Sequence, residues 1–231
     1  MNGIFNHIKV IREQIENSAR AVGRDPSEVE LVAVSKTYPA ELIREALDVG
    51  QVIFGESRAQ ELLTKVPLLP ASVRWHFIGH LQRNKIRKVL PYADLIHSID
   101  SVGLAEDIDR IGAELGIFPR VLLEVNLSGE ATKFGFDAET IRREAKHLLS
   151  LPRLQLEGFM TMAPVAKDPE NARPIFSRLR KFRDEIAAEH DTKLPVLSMG
   201  MSDDFRIAIE EGATLVRIGT AIFGSRPNAK G

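Results

Sequence analysis

The chain contains no cysteine among its 231 residues. This absence excludes disulfide bonds, thiolate metal ligands and a cysteine nucleophile. Long apolar runs are also lacking, since no stretch approaches the 18 residues of a membrane-spanning helix. Charges at Lys9, Arg12 and Glu13 interrupt the N-terminal segment in which a signal peptide would need its apolar core. We therefore expect a cytoplasmic protein that does not enter a membrane.

An excess of charge of one sign is missing as well. The 31 Lys and Arg residues nearly balance the 32 Asp and Glu residues, so the net charge is −1. A protein that binds a polyanion along its whole surface needs an excess of positive charge. Basic clusters at 83–88 and 178–183 lack the aromatic platform on which single-stranded bases stack, because Phe182 belongs to an apolar helix stripe. We expect no nucleic-acid partner.

Strand-like and helix-like segments alternate along the chain. Short apolar runs without polar alternation, typical of parallel strands that are buried on both faces, occur at 31–35, 52–54, 74–78, 94–99, 120–125, 155–161, 195–198 and 214–218. Amphipathic stretches of helical period lie between them, and the longest helix is expected at about 169–190. A βαβ series can form an open, doubly wound sheet or a closed barrel. Eight units without a linker favour a single-domain (β/α)8 TIM barrel over residues 1–231.

Lys36 directly follows the first run and therefore lies at the C-terminal mouth of strand 1. Functional residues of such barrels gather at this end. A lysine is usually a solvated surface charge, and that interpretation stays open here. However, partial desolvation at a barrel mouth lowers the pKa of an ammonium group and makes its lone pair available for attack on a carbonyl. The position thus predicts Schiff-base chemistry.

Two glycine-containing segments follow the last two strands, at 198–204 and 217–220. Loops at these places form the habitual phosphate site of the barrel, where backbone N–H groups, hydroxyls and a helix start meet an anion. The candidate residues are Gly200, Ser202, Gly219 and Thr220. The two aspartates at 203 and 204 have a plainer interpretation as helix caps. Together with a strand-1 lysine, the segments predict a site for a phosphorylated aldehyde.

Arg217 and two histidines allow more than one interpretation. Arg217 can point outward and pair with Glu210 or Glu211, or it can point inward, where it needs an acceptor such as a pyridine nitrogen. His76 and His80 stand four residues apart on a predicted strand and so on one face. Without a nearby third ligand, the pair favours packing or ligand contact over a metal site.

Seven ordered motifs identify a family resemblance that covers nearly the whole chain. They are AVSKT at 33–37, FGESRAQE at 54–61, WHFIGHLQRNK at 75–85, EVNLSGEATKFGF at 124–136, GFMTMAP at 158–164, LSMGMSDDF at 197–205 and VRIGTAIFG at 216–224. With these motifs the chain resembles the pyridoxal phosphate homeostasis protein family. The sequence departs from the family at Ser57, where an asparagine is usual, which puts an expected ring contact in doubt.

The resemblance implies a single-domain barrel like the N-terminal domain of alanine racemase, with pyridoxal 5′-phosphate (PLP) as its cofactor. By motif position, Lys36 would form the aldimine with PLP, and Arg217 would face the pyridine nitrogen. Ser202, Gly219 and Thr220 would hold the phosphate. His80 and Asn84 would lie near the pocket without an assigned role. The partners implied are PLP itself and the apo-enzymes that use it, and we expect a monomer.

Three functions remain open from the sequence. The favoured one is a non-catalytic protein that keeps free PLP low and delivers it to other proteins. The second is a PLP-dependent racemase, although the chain has only Tyr38 and Tyr92 as tyrosines and no second domain to supply another acid or base. An arginine at the ring nitrogen would also leave PLP a poor electron sink. The third is a Schiff-base aldolase acting on a sugar phosphate, which would share the lysine and the phosphate site but not the motifs.

Overall fold

The computed structural model describes residues 3–127, 134–164 and 166–224. It contains a closed barrel in which all neighbouring strands are parallel and follow each other in chain order. The strands are β1 (Glu30–Val34), β2 (Ile53–Glu56), β3 (Arg74–Phe77), β4 (Ala93–Ile99), β5 (Arg120–Glu124), β6 (Gln155–Met160), β7 (Val196–Ser198) and β8 (Leu215–Ile218). The predicted (β/α)8 architecture is confirmed. Positions 128–133 of the motif at 124–136 lie outside the described residues.

Helices surround the barrel in the described part of the chain. They are α1 (Gly3–Ala21), α2 (Ala40–Leu47), α3 (Ala59–Lys65), α4 (Ile86–Val89), α5 (Val102–Leu115), α6 (Ala138–Ser150), α7 (Arg173–Glu189), α8 (Phe205–Glu210) and α9 (Thr220–Phe223). Short 3₁₀ turns occur at Pro26–Glu28, Val66–Leu68, Arg83–Lys85 and Pro169–Ala172. No helix in the described ranges is long and apolar enough to cross a membrane.

The expectation that the longest helix lies at about 169–190 is wrong. The first four residues of that segment wind as a 3₁₀ turn, so α7 keeps 17 residues, whereas α1 has 19. Pro169 begins the 3₁₀ turn and Pro174 lies in the first turn of α7, where a missing backbone N–H costs little. Each proline therefore favours the start of a new helical segment over one continuous helix. The N-terminal helix α1 packs against α2, α8 and α9.

Apolar side chains form two separate layers. The larger cluster fills the space between the outer face of the barrel and the helices. The smaller cluster consists of alternate residues that point into the barrel, namely Val32, Ile53, Leu95, Leu122, Met160 and Leu215. Since successive side chains of a strand face opposite sides, these residues mark inward-facing positions of their strands. Val34 and Lys36 continue the inward series of β1 toward the C-terminal mouth.

Candidate functional site

A cavity of about 150 Å³ lies at the C-terminal ends of the strands. Five of the seven predicted site residues line it, which are Lys36, Ser202, Arg217, Gly219 and Thr220. They come from the segments that follow β1, β7 and β8. Because β8 pairs with β1, the barrel brings the site segment near the start of the chain next to the two near its end.

Lys36 is half-buried and leaves β1 toward the cavity. Tyr38, two residues further, is 3% exposed, and its hydroxyl donates a hydrogen bond to the carbonyl oxygen of Gly224 at 2.5 Å. The Tyr38 ring packs on Phe223 with centroids 4.9 Å apart. These contacts fix the wall of the cavity between the β1 loop and α9. The Lys36 side chain thus enters a cavity whose opposite wall is α9. Thr220 lies in the first turn of α9.

The two glycines of the predicted phosphate site have different positions. Gly219 borders the cavity, and a Cβ atom there would lie 3.2 Å from the carbonyl oxygen of Val34. Gly200 is buried beneath the loop with a φ of +93°, and a Cβ atom on it would lie 2.6 Å from the Cβ of Ala208. Gly200 is not among the residues that line the cavity. Its glycine is required by the packing of the loop on α8.

The loop that carries Ser202 is closed by Asp204. The Asp204 Oδ1 atom accepts a hydrogen bond from the backbone N–H of Met201 at 2.6 Å. Burial raises the pKa of the Asp204 carboxyl, against the effect of this hydrogen bond and of Arg217. The aspartate stands at the N-cap position of α8, but its side chain makes no capping bond to the helix. Asp204 therefore shapes the Ser202 loop and does not cap α8.

His80 lies at the mouth but not in the cavity wall. Its side chain is 42% exposed, its Nδ1 atom is 2.8 Å from Asp100 Oδ2, and its ring stacks on Phe134 with centroids 4.4 Å apart. The expectation that His76 and His80 share one strand is wrong, because β3 ends at Phe77. Within the described ranges, no group of three or more His, Asp or Glu side chains is arranged to hold a metal ion.

Two other motif positions also lie away from the cavity wall. Asn84 is exposed on the 3₁₀ turn at Arg83–Lys85. Ser57 is in the loop after β2, where its backbone packs on Gly79 so closely that a Cβ atom at Gly79 would lie 2.2 Å from the Ser57 carbonyl oxygen. Neither residue is among those that line the cavity.

Arg217 points into the barrel and is 5% exposed. Its Nη1 donates to Ser198 Oγ at 2.5 Å, and its Nη2 donates to the carbonyl oxygen of Thr161 at 3.0 Å. The alternative outward pairing with Glu210 or Glu211 is wrong, since those two carboxylates pair with Arg173. Burial lowers the pKa of Arg217 to about 10, although Glu124 and Asp204 act in the opposite direction. The guanidinium remains charged at neutral pH.

A chain of hydrogen bonds continues from Arg217 into the barrel. His97 Nδ1 lies 2.8 Å from Ser198 Oγ, and His97 Nε2 lies 2.9 Å from His76 Nδ1. Burial lowers the pKa of both histidines, so both rings are neutral. A neutral ring donates at one nitrogen and accepts at the other. The carboxylate of Asp94 lies 3.7 Å from His76 Nε2 and favours a proton on that nitrogen, which leaves His76 Nδ1 to accept from His97 and His97 Nδ1 to accept from Ser198.

The sequence did not predict this series of hydrogen bonds. Its signal was a histidine in the middle of each of two adjacent apolar strands, RWHFI at 74–78 and DLIHSI at 94–99. A histidine between apolar neighbours must point either into the barrel or toward the helices, and in both cases it needs a polar partner. The partner Ser198 comes from a third strand about a hundred residues away, so the sequence did not reveal it.

Glu124 is a second group that the sequence reasoning missed. It ends β5, is 6% exposed, and lies close enough to Arg217, His80 and Asp100 to interact with each electrostatically. Burial, followed by the charge of Asp100, raises its pKa from 4.5 to about 7, while Arg217 and His80 act to lower it. Near neutral pH this carboxyl therefore exchanges a proton at the barrel mouth.

Known proteins match this chain over nearly its whole length, including the site. A sequence model of the alanine racemase N-terminal domain matches residues 7–227. The pyridoxal phosphate homeostasis protein of Aquifex aeolicus (strain VF5) is 43% identical over 217 residues, which cover 94% of this chain and 95% of that protein. The pyridoxal phosphate homeostasis protein of Escherichia coli (strain K12) is 40% identical over 238 residues and 100% of both proteins.

Solved structures give the same result for the fold. PipY of Synechococcus elongatus PCC7942 is 39% identical and matches 96% of this chain and 100% of its own, with TM-scores of 0.87 without PLP and 0.85 with PLP bound. An alanine racemase of Clostridium difficile 630 has a TM-score of 0.75 at 18% identity and covers 97% of this chain but only 58% of its own. The latter likeness shows a shared barrel fold alone.

We expect Glu124 to make the stability of the protein depend on pH. Its raised pKa means that the folded state holds a proton which the unfolded chain has released, so this contribution is full below pH 4.5 and is lost as the pH rises to about 7. The loss amounts to about 3 kcal/mol. Glu124→Gln should flatten the fall in melting temperature over this range, as measured by thermal unfolding in a series of buffers. Parallel curves for the two proteins would contradict the assignment.

Proposed function

The chain belongs to the pyridoxal phosphate homeostasis family, and we propose that it binds PLP at the barrel mouth and buffers or delivers it without conventional PLP catalysis. The observation that carries the proposal is the convergence of an amine, a buried cation and two hydroxyls on one cavity of about 150 Å³. These are the groups that a phosphorylated pyridine aldehyde requires. The relative PipY, which is 39% identical, has been solved with PLP bound.

The aldehyde end is assigned to Lys36. PLP supplies an aldehyde, and a primary amine that attacks its carbon forms an imine while the oxygen leaves as water. Lys36 has the amine, a half-buried position and a direct path into the cavity. The phosphate end is assigned to Ser202, Gly219 and Thr220, which border the same cavity from the β7 and β8 loops. Gly200 supports this end by allowing its loop to pack.

The ring nitrogen is assigned to Arg217. A guanidinium can donate hydrogen bonds but has no acceptor site, and at a pKa of about 10 it keeps its proton at neutral pH. It therefore binds an unprotonated pyridine nitrogen and withholds the positive ring charge that stabilises a carbanion. This electrostatic setting supports a binding protein over a racemase.

The positions of the tyrosines support the same choice. The hydroxyl of Tyr38 already donates to the Gly224 carbonyl oxygen. Tyr92 precedes β4 and so lies at the N-terminal end of the barrel, opposite the cavity. A racemase needs acid and base groups on both sides of the substrate carbon.

We further propose a cytoplasmic, monomeric, single-domain protein over residues 1–231. His80 would lie near the entrance for PLP, and PLP-dependent apo-enzymes would be the recipients.

The first test concerns Lys36. Borohydride reduction of the PLP-loaded protein should fix a pyridoxyl group on the peptide that contains residue 36, because reduction makes the imine bond permanent. Lys36→Arg keeps the positive charge but should lose the adduct and the absorbance of the bound imine. Mass mapping of the reduced protein gives the readout, and Lys85→Arg is the matched control. An adduct on another lysine of the wild type would overturn the assignment.

The second test concerns the phosphate. Each hydroxyl should contribute a charge-assisted hydrogen bond, so Ser202→Ala and Thr220→Val should each weaken PLP binding by about tenfold or more. Pyridoxal lacks the phosphate, and its weaker binding should differ little between these variants and the wild type. Calorimetric titration measures both ligands, and Ser150→Ala, on the exposed end of α6, is the control. Equal affinity for pyridoxal and PLP would place the anion site elsewhere.

The third test separates the binding protein from a racemase. Incubation of the PLP-loaded protein with L- or D-alanine in heavy water should give α-carbon deuteration no faster than free PLP does. Proton abstraction is detected in this way even without net product. Nuclear magnetic resonance of the recovered alanine gives the rate, with Lys36→Arg as the control. Lys36-dependent exchange well above the free-PLP rate would overturn the non-catalytic proposal.

A further inference from the structure

A buried cluster of charges lies directly behind Lys36, between the barrel wall and α3. It consists of Glu56 at the end of β2, and of Glu61 and Lys65 on α3. The side chain of Glu56 is fully buried, and those of Lys65 and Glu61 are 7% and 20% exposed. Lys65 Nζ donates to Glu56 Oε1 at 2.7 Å and to Glu61 Oε1 at 2.6 Å. We call these three residues the buried triad.

Stability alone does not account for the buried triad. Removing charges from water is costly, and apolar side chains of similar size often serve a protein core equally well. The triad contains two carboxylates and one ammonium, and the Oε2 atom of Glu56 has no hydrogen-bond partner. Burial raises the pKa of Glu56, although the neighbouring Lys65 opposes this effect. An arrangement that is this unfavourable by itself suggests a role in positioning other groups.

The triad holds the residue before Lys36. Ser35 Oγ donates to Glu56 Oε1 at 2.6 Å, and the Ser35 carbonyl oxygen accepts from Lys65 Nζ at 2.8 Å. The same carbonyl oxygen also accepts from the N–H of Tyr38 at 3.1 Å, which closes a turn around residue 36. Ser35 is thus held through both its side chain and its backbone.

The triad also holds the residue after Lys36. The N–H of Thr37 donates to Glu61 Oε1 at 2.5 Å. Thr37 has a φ of +70°, a left-handed conformation that is strained for a β-branched residue and persists only when its surroundings enforce it. Thr37 is exposed, so core packing does not enforce this conformation. Two contacts in the structure restrain it, namely the turn closed by the Tyr38 N–H on the Ser35 carbonyl oxygen and the hydrogen bond that the Thr37 N–H donates to Glu61.

We propose that the buried triad is a positioning device for Lys36, which clamps both neighbouring residues so that the lysine side chain is directed into the cavity. The inference rests on the proposed function of Lys36 as the amine that captures the PLP aldehyde. A lysine has four rotatable bonds, and a fixed Cα–Cβ direction restricts where its amine can reach. Small errors in such placement cost large factors in rate.

The test compares two ligands that differ only at the reacting group. PLP carries the aldehyde, whereas pyridoxine 5′-phosphate carries an alcohol and can bind only non-covalently. Glu61→Leu removes the acceptor for the Thr37 N–H and should slow covalent capture of PLP by about tenfold or more, measured by stopped-flow absorbance. The affinity for pyridoxine 5′-phosphate, measured by calorimetry, should change by less than about twofold, since the phosphate loops are untouched.

Conservative variants provide the rescue. Glu61→Gln loses the charge but keeps an oxygen that can accept from Thr37, so it should recover most of the capture rate. The double variant Glu56→Gln/Lys65→Met removes the other buried charges at nearly constant volume and releases the Ser35 carbonyl oxygen. It should slow capture in the same selective way as Glu61→Leu, and it supplies the measurement if Glu61→Leu does not fold.

Gln51→Met is the matched control for lost stability. The Gln51 side chain is buried and donates to the carbonyl oxygens of Leu31 and Ile53, which joins β1 and β2 at their far end from Lys36. It should lower the melting temperature without slowing capture. An unchanged capture rate in Glu61→Leu, or an equal loss for both ligands, would overturn the positioning role. Borohydride labelling of a lysine other than Lys36 in the wild type would instead refute the function on which the inference rests.

Discussion

The pairing of β8 with β1 is the contact on which the site depends. The two strands lie about 180 residues apart in the chain, and their register places Val32 beside Arg217 and Ala33 beside Ile218. Lys36 and Thr220, which follow these strands, therefore emerge at the same end of the barrel. Gly219 allows the closest approach, because a side chain at this position would press on the Val34 carbonyl oxygen. Without closure the amine and the hydroxyls would belong to opposite edges of an open sheet, and no common cavity would exist.

A second constraint comes from placing a guanidinium inside the barrel. A buried cation without partners is costly, so the interior that receives Arg217 must be polar. Ser198 and the Thr161 carbonyl oxygen accept from it directly, and His97 and His76 continue the chain. Burial lowers the pKa of both histidines, so they add no positive charge beside Arg217 near neutral pH. The hydrogen-bond acceptors and the carboxyls of Glu124 and Asp204 thus keep Arg217 charged near neutral pH.

The sequence predicted the barrel and four of the five cavity residues from local patterns, whereas the inward position of Arg217 was left open by these patterns and implied only by the family resemblance. Apolar runs at a spacing of about 29 residues define βα units, and the residue after a buried strand lies at the mouth. Such patterns do not define where a strand ends, so His80 was placed on β3, which stops three residues earlier. They also hide partners from other elements. Glu61 and Lys65 resemble an ordinary i,i+4 surface pair on a helix, and only the packing of α3 on β2 reveals that Glu56 and Ser35 complete the cluster.

The ionisable groups around the cavity fall into two classes, those that titrate near neutral pH and those that do not. Arg217 keeps its proton, and the buried histidines stay neutral, so neither can supply the proton that would turn a bound pyridine ring into an electron sink. Glu124 does titrate near neutrality, and its charge acts on Arg217, but Glu124 itself is not among the residues that line the cavity. Ionisation of Glu124 changes the electrostatic field at Arg217. The direction of the Lys36 side chain depends instead on the buried triad. If Lys36 binds the aldehyde and Arg217 the ring nitrogen as proposed, the two contacts are independent and either can be weakened alone, which would suit reversible loading and release more than the chemistry of a carbanion.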